Sequence, residues 1–260
     1  MKTCPHNDYS LYSSRLSSVV PKINYKSINL GIVDKYPLLL LTPKIFKKQP
    51  NILIAAGFHG NETAPIWALL KVLEDNNLPT NLNVSFLPLI NPTGFIKNKR
   101  DNMFFENPNR GYAYNYGKER LPRYETVMSI EGKFIMAKIK TVLKCASTSL
   151  LTMHEDDIIN KFFIYTSTHS HLELENKLLK IGSDHFSTII NGKDEENNKI
   201  KNGLIIDVKD GSFEDYLFRQ GTPQCITTET PSNKNFDERV ATNITLLNTY
   251  LKYYSNRQDY

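Results

Sequence analysis

The stretch Asn51-Ile-Leu-Ile-Ala-Ala-Gly-Phe-His59-Gly-Asn-Glu62 joins an apolar run to two side chains that can bind a metal. The run from 52 to 56 is typical of a buried strand, and Gly57 predicts a turn where that strand ends. The residues from 63 to 74 predict an amphipathic helix, because apolar side chains recur there at spacings of three and four. His59 and Glu62 therefore lie where a strand gives way to a helix.

His59 and Glu62 are three residues apart and can offer an imidazole nitrogen and a carboxylate oxygen to one cation. Zinc favours this pair, and catalytic zinc sites use three protein ligands with water in the fourth position. The spacing alone is a weak signal. The position strengthens it, because open α/β sheets place their sites at the carboxyl ends of strands.

A third candidate ligand, His154, ends another predicted strand. Taken alone, a histidine at a strand end is more often structural than a ligand. Beside His59 and Glu62 the metal interpretation gains weight, because two histidines and one carboxylate complete a catalytic zinc site. A rival remains open, since His154 and Asp157 have the same spacing as the first pair. We expect the acidic residues at 155–157 to accept hydrogen bonds from the ring N–H groups of the ligands.

Glu229 ends the last predicted strand, in Cys225-Ile-Thr-Thr-Glu-Thr-Pro231. Two interpretations are open: a surface carboxylate at a strand terminus, or a general base beside the metal. Water bound to zinc ionises at about pH 7 rather than about 16. A carboxylate within reach can take its proton and pass it to a leaving amine.

The whole chain has the composition of a globular protein, and we predict one domain from 1 to 260 with a surface-wrapping segment at 1–26. Its 260 residues are 40% hydrophobic and 23% charged. The net charge of +5 and the short basic stretch at 97–100 do not argue for a nucleic acid partner. No apolar run approaches the length of a membrane span, so we expect no membrane partner either.

The cysteines and the first residues predict a cytoplasmic protein. Cys4, Cys145 and Cys225 are scattered and odd in number, which fits a reducing compartment better than a disulfide framework. The opening Met-Lys-Thr-Cys-Pro-His-Asn-Asp lacks the apolar core of a signal peptide.

Strand and helix patterns alternate along the chain, which predicts an α/β layer fold. Besides 52–56, we expect strands at 28–33, 37–41, 84–90, 149–153, 161–166, 204–208 and 224–228. Helices are expected at 125–144, 172–186 and 236–254, with a short helix after Ser212. The charged segment 191–202 is predicted to be a surface loop.

Five motifs in order along the chain resemble the zinc carboxypeptidases of the carboxypeptidase A superfamily: His59-Gly-Asn-Glu62, Asn91-Pro-Thr-Gly94, Asn109-Arg110, His154 and Glu229. That superfamily includes the succinylglutamate desuccinylase and aspartoacylase branch. The resemblance covers residues 50 to 232. Within the superfamily the chain is most similar to bacterial murein-peptide amidases, which cleave the γ-D-glutamyl–meso-diaminopimelate bond.

The resemblance implies an α/β/α sandwich with a mixed, mostly parallel sheet of about eight strands. It implies one zinc ion per chain, with His59, Glu62 and His154 as its ligands. Glu229 takes the place of the family's general base.

The resemblance also assigns residues that would contact the substrate. Arg100 matches the arginine that polarises the scissile carbonyl, and a guanidinium suits a developing oxyanion. Asn109 and Arg110 match the pair that clamps the terminal carboxylate, which a planar guanidinium binds through two parallel donors. Phe213 is expected in the pocket for the substrate side chain.

The chain departs from the family at two points. The family often has Asp-Leu-Asn-Arg before its clamp, where this chain has Asn107-Pro-Asn-Arg110. The tyrosine that caps bound substrate has no clear match, and Tyr112, Tyr114 and Tyr216 are candidates for its role. The side-chain pocket is therefore the least defined part of the predicted site.

The leading hypothesis is a zinc metallocarboxypeptidase or amidase that hydrolyses a peptide or γ-glutamyl amide bond next to a free C-terminal carboxylate. Murein peptides are the favoured substrate, since a cytoplasmic enzyme could act on imported peptides. The alternative is a deacylase of N-acyl amino acids, which shares the ligands and the clamp. A metal-dead peptide-binding module is disfavoured, because ligands, base and arginines are all present.

Overall fold

The structure is a computed structural model of the protein, and it describes residues 6–112, 127–169 and 171–257. The helices and strands in chain order are α1 (Tyr9–Val19), β1 (Tyr25–Val33), β2 (Tyr36–Pro43), β3 (Asn51–Ala56), α2 (Thr63–Asp75), β4 (Asn83–Leu87), α3 (Pro92–Lys97), α4 (Ile130–Ala137), α5 (Ile139–Cys145), β5 (Ser149–Asp156), β6 (Phe163–Thr168), α6 (Glu173–His185), β7 (Asn191–Lys193), β8 (Lys199–Lys201), β9 (Leu204–Ile206), α7 (Phe213–Arg219), β10 (Gln224–Pro231) and α8 (Phe236–Ser255).

These strands form one mixed sheet in the order β1-β2-β4-β3-β5-β10-β6-β9-β8-β7. Parallel pairing occupies the centre, from β4 through β3 and β5 to β10, and recurs between β6 and β9. The other neighbours are antiparallel. The predicted α/β class with a mixed sheet is confirmed. The sheet is wider than the eight strands expected, and it is not mostly parallel, since five of the described strand pairs are antiparallel and four are parallel.

The two extra strands come from the segment 191–202, which was predicted to be a loop. β7 and β8 pair as a short antiparallel hairpin that extends the sheet at one edge. The prediction failed because the hairpin is exposed along most of its length, so its sequence lacks the apolar run that marks a buried strand.

Strand β3 is buried on both faces, which explains its uninterrupted apolar sequence. Ile52, Ile54 and Ala56 belong to a core shared with α1, α2, α6 and α8. Leu53 and Ala55 belong to a second core shared with α4, α5 and α7. The sheet is therefore the middle layer of a sandwich.

Two helical predictions differ from the structure. The predicted helix at 125–144 is two helices in its described part, because the backbone of Lys138 leaves the helical region between α4 and α5. The segment 1–26 contains α1, whose Tyr12 and Leu16 are buried and which packs against α2 and α3. Serines between the apolar positions of α1 gave this segment its polar appearance. Of the described helices, none has the length and hydropathy needed to cross a membrane.

Candidate metal centre and active site

The three predicted metal ligands lie together at one edge of the sheet. His59 and Glu62 follow β3, and His154 belongs to β5, which runs parallel to β3. The candidate ligand atoms lie within 4.8 Å of one another, and no more than 3% of any of these residues is exposed. Asp157, the rival partner of His154, is exposed and lies outside this group.

The hydrogen bonds around Asn107 determine which nitrogen of His59 faces the centre. Asn107 Oδ1 accepts a hydrogen bond from Asn109 N at 2.9 Å, which identifies this atom as the amide oxygen. The same oxygen lies 3.1 Å from His59 Nε2, so Nε2 carries the proton. Burial lowers the pKa of His59 to about 4, although Glu62 opposes the shift. At neutral pH, His59 Nδ1 therefore carries no proton, and its lone pair faces the centre.

Glu62 lies between the two histidines in a position that fits a cation. Its Oε1 is 2.6 Å from His59 Nδ1 and its Oε2 is 2.8 Å from His154 Nδ1. Burial acts to raise the pKa of Glu62, but the two histidines outweigh it and hold this pKa well below its usual range. Within the described part of the chain, the polar group beside Oε2 is His154 Nδ1.

A metal ion fits this arrangement on physical grounds. A buried lone pair of His59 Nδ1 that faces a carboxylate oxygen at 2.6 Å is costly, because neither atom supplies a proton. A cation among the three side chains would satisfy Glu62 and His59 together. Two imidazoles and one carboxylate are a donor set of catalytic zinc sites.

Glu214, which no sequence motif marks, faces the second nitrogen of the His154 ring. His154 Nε2 lies 3.5 Å from Glu214 Oε1, and the His154 ring stacks on Phe58 with centroids 5.7 Å apart. Burial acts to lower the pKa of His154, but Glu62 and Glu214 raise it well above its usual range. Burial acts to raise the pKa of Glu214, and His154 brings it down to about 2. When a cation takes the place of the Nδ1 proton, an ionised Glu214 opposite Nε2 favours the tautomer that keeps the remaining proton on Nε2.

The sequence marks one of the two residues beside the histidines, Asn107, more clearly than the other, Glu214. Asn107 stands where the resemblance expects an aspartate, and this departure is visible in the sequence. Glu214 follows the N-cap Ser212, where acidic residues are common because they favour the helix dipole. Its sequence context therefore pointed to helix capping.

Glu155 has a different role from the one predicted. It accepts a hydrogen bond from Ala64 N at 3.0 Å and pairs with Arg239 of α8. Successive side chains on a strand point to opposite faces, so Glu155 projects away from the side of β5 that carries His154. It holds the first turn of α2 instead of a ligand ring.

Two glycines bring the first two motifs into contact. A Cβ atom at Gly60 would lie 2.0 Å from the carbonyl carbon of Gly94, so a larger residue does not fit. Gly60 N and Asn91 Nδ2 both donate to Arg100 O, at 3.2 and 3.0 Å. The two motifs thus form one unit that places Arg100 beside Glu62.

Glu229 lies beside His154 on the neighbouring strand. β10 and β5 are parallel with Glu229 opposite His154, so both side chains project from the same face. Glu229 is half-buried and lines the cavity that contains the three candidate ligands. Burial and the charges of Glu62 and Asp156 raise the pKa of Glu229, although His154 opposes them. A bound cation would lower this pKa again.

Two arginines line the same cavity. Arg100 Nη1 lies 3.5 Å from Glu62 Oε1, and 43% of its side chain is exposed. Arg110 is more enclosed, with Nη2 2.6 Å from Glu196 Oε1 and Nη1 3.5 Å from Asp210 Oδ2. Burial acts to lower the pKa of Arg110, but these two carboxylates raise it above its usual range.

Asn109 lines the cavity, whereas Phe213 does not contribute to the described wall. Asn109 Oδ1 accepts a hydrogen bond from Phe213 N at 2.9 Å and so supports the start of α7. The Phe213 ring is fully buried, with centroids 5.4 Å from Phe58 and 5.5 Å from Tyr112. Its place on the inner face of α7 makes it a core residue rather than a contact for a substrate side chain.

None of the three candidate tyrosines is identified as the residue that caps bound substrate in the family. Tyr112 is fully buried, and 9% of Tyr216 is exposed. Tyr114 lies outside the described residues.

The fold and the site together define a class, a carboxypeptidase-like α/β protein with a candidate metal centre of two histidines and one glutamate. The family model of the succinylglutamate desuccinylase/aspartoacylase catalytic domain matches residues 48–151. That match includes the first ligand pair and both arginines and stops before His154. No curated protein matched the chain.

Solved structures extend the comparison over the whole chain. A candidate metallopeptidase from Shewanella baltica OS155 is 32% identical, with a TM-score of 0.89 over 96% of this chain and 93% of that one. One from Shewanella amazonensis SB2B is also 32% identical, with a TM-score of 0.89 over 97% and 95%. The chain belongs to the family of these two Shewanella proteins. The murein-tripeptide amidase MpaA from Escherichia coli O157 shares the fold, at 18% identity and a TM-score of 0.61 over 90% and 93%.

Proposed function

We propose that the protein is a zinc-dependent metallocarboxypeptidase or amidase that hydrolyses a peptide or γ-glutamyl amide bond next to a free carboxylate. The observation that carries this proposal is the buried group of His59, Glu62 and His154, in which two Nδ1 atoms face one carboxylate. These residues would hold one zinc ion per chain. Zinc, when bound, supplies a Lewis acid that lets water ionise near neutral pH.

The remaining residues of the cavity have separate roles in the proposed reaction. Glu229 takes a proton from the attacking water and passes it to the leaving amine nitrogen. Arg100 donates hydrogen bonds to the carbonyl oxygen as negative charge develops there. Asn109 and Arg110 bind the carboxylate next to the scissile bond.

The substrate we propose is a murein peptide, cleaved at the γ-D-glutamyl–meso-diaminopimelate bond during recycling in the cytoplasm. Two points support this choice. The fold is similar to that of a murein-tripeptide amidase. The stretches Gly211-Ser-Phe213 and Cys225-Ile-Thr-Thr-Glu229 carry the sequence resemblance to amidases of this kind.

A second candidate is a deacylase of N-acyl amino acids. The match of residues 48–151 to the succinylglutamate desuccinylase/aspartoacylase domain favours it. Such a substrate also presents a carboxylate beside an amide bond, so the same ligands, base and arginines would serve.

The two candidates are separated by one comparison of substrates. Zinc-loaded protein is assayed with a murein tripeptide, N-succinyl-glutamate and N-acetyl-aspartate, and release of the amine product is measured. We expect kcat/KM for the tripeptide to exceed the others at least about tenfold, a difference of 1.4 kcal/mol in transition-state binding. A higher value for either acyl amino acid would replace the amidase with the deacylase. Protein that binds much less than one zinc per chain would contradict both.

A further inference from the structure

Glu196 binds the guanidinium to which the proposed function assigns the substrate carboxylate. We propose that Glu196 is an internal competitor for Arg110, which sets the affinity of the site for substrates with a free carboxylate. This inference rests on the proposed function. It adds a residue that determines specificity and that no motif of the sequence marks.

The donors of Arg110 point at oxygen atoms of the chain itself. Nη2 donates to Glu196 Oε1 at 2.6 Å, and Nη1 donates to the carbonyl oxygen of Asn109 at 2.9 Å. Asp210 Oδ2 lies 3.5 Å from Nη1. A carboxylate that binds a guanidinium through two parallel bonds needs donors from both nitrogens. A substrate must therefore share or replace the contact that Glu196 makes.

The charges around Arg110, like the geometry of its hydrogen bonds, disfavour the binding of a substrate carboxylate. Arg110 carries one positive charge, and Glu196 and Asp210 carry one negative charge each, so the group as a whole repels an arriving carboxylate. Asp210 is held in place by a hydrogen bond from Ser212 N at 2.9 Å, and 14% of its side chain is exposed. The side chain of Glu196 is 36% exposed. Glu196 is therefore the partner that can rotate into solvent when a substrate binds.

The hairpin of β7 and β8 fixes the backbone that carries Glu196. Asp194 Oδ1 accepts hydrogen bonds from Glu196 N at 2.9 Å and from Asn198 N at 2.7 Å. Tyr165 of β6 donates to Asp194 Oδ2 at 2.9 Å, which ties the tip of the hairpin to the sheet. Because the tip is held, Glu196 leaves Arg110 by a movement of its side chain and not of the backbone. The contact is thus both preformed and reversible.

The test compares two peptides that differ in one charge, γ-D-glutamyl-diaminopimelate with a free or an amidated carboxylate next to the scissile bond. Glu196→Gln keeps the size of the side chain and removes its charge. For the free peptide we expect KM to fall about three- to tenfold at unchanged kcat, since one partly exposed charged hydrogen bond is lost from the competitor. For the amidated peptide we expect no change in KM.

Glu195→Gln is the matched control. Glu195 is the next residue of the same hairpin tip and lines the same cavity, so this variant removes the same charge from the same wall. We expect it to lower KM for the free peptide much less than Glu196→Gln. An equal fall in both variants would replace competition with a general effect of cavity charge. A rise of KM in Glu196→Gln would make Glu196 a support of Arg110 and overturn the proposal.

Calorimetry provides a readout that does not depend on turnover. The dissociation constant of free meso-diaminopimelate is measured on zinc-loaded wild type and on the Glu196→Gln and Glu196→Ala variants. We expect tighter binding in both variants, and unchanged or weaker binding would overturn the proposal. Failure of the wild type to hydrolyse either peptide would defeat the proposed function, while the calorimetric comparison would still decide the role of Glu196.

Discussion

At the scale of single residues, Glu229 differs from the candidate metal ligands because its proposed role is proton transfer. Glu229→Gln preserves the shape of the side chain and removes the proton acceptor. We expect kcat to fall about 10²–10⁴-fold while zinc content stays the same, because a general base acts mainly in the transition state. Asp157→Asn, at the exposed end of the neighbouring strand, is the control and should retain most of the activity. A kcat near that of wild type in Glu229→Gln would remove Glu229 from the mechanism.

The hydrogen bond from His59 Nε2 to Asn107 leads to a prediction about zinc affinity, because the family often has an aspartate at the position of Asn107. A carboxylate partner makes a ligand imidazole more basic and a better donor to the metal. Asn107→Asp should therefore tighten zinc binding, by about tenfold, and Asn107→Leu should weaken it by about 10–100-fold. Competition with a chromophoric chelator measures both. Equal zinc affinity in Asn107→Leu and wild type would contradict this role of Asn107.

The sequence predicted which residues form the candidate metal centre better than it predicted their neighbours. His59, Glu62 and His154 were predictable because each follows an apolar strand, and the carboxyl ends of parallel strands meet at one edge of a sheet. Glu214 approaches His154 from a helix 60 positions away along the chain. Phe213 was assigned to the substrate pocket by resemblance, yet it packs in the core. Contacts of this kind depend on tertiary packing, which no local pattern encodes.

At the scale of helices and strands, Glu155 joins the end of β5 to the first turn of α2 and, through Arg239, to α8. Loss of one partner of a buried pair typically costs about 3–5 kcal/mol, because the other charge remains buried. Arg239→Met should therefore destabilise the protein by about 1–3 kcal/mol at pH 8, where Glu155 of the wild type is largely ionised. Lys71→Met, in an exposed ion pair on α2, is the control and should have little effect.

The loss of folding stability in Arg239→Met should increase as the pH rises. Burial raises the pKa of Glu155 from 4.5 to about 7, although Arg239 opposes the shift. A carboxyl whose pKa is raised on folding favours the folded state below its unfolded value and loses that contribution as the pH rises through the folded value. Without Arg239 the pKa rises further, so the variant should be closest to wild type at pH 5 and furthest from it at pH 8. Urea titrations at both pH values measure this, and a larger loss at pH 5 would contradict the argument.

The regularity of the apolar pattern decides which helices and strands could be predicted from the sequence. β3 and α2 were predicted to within one residue because one is apolar throughout and the other has a regular apolar face. The break at Lys138 has no proline or glycine to mark it, so two helices read as one. β7 and β8 are held by backbone pairing at the sheet edge, and their exposed side chains follow no apolar pattern.

At the scale of the whole molecule, the two cores on either side of the sheet consist of apolar side chains and do not include the candidate metal ligands. His59, Glu62 and His154 are absent from the apolar clusters that hold the helices to the sheet. The centre links the ends of β3 and β5 and the start of α2. Zinc is therefore expected to stabilise the folded protein by mass action, and the fold is expected to persist without it.

Removal of zinc with a chelator tests this expectation. A ligand at about 100 times its dissociation constant stabilises the folded state by about 2.7 kcal/mol. For a chain of this length, that corresponds to a Tm higher by about 5–10 °C. The far-UV circular dichroism should be unchanged at 25 °C, and readdition of zinc should restore the Tm. The gain should shrink as the pH falls, because the Nδ1 atoms of His59 and His154 must be free of protons to bind a metal. Loss of the circular dichroism signal with the metal would show instead that the sheet depends on the centre, and a gain in Tm that grows toward acidic pH would exclude these histidines as ligands.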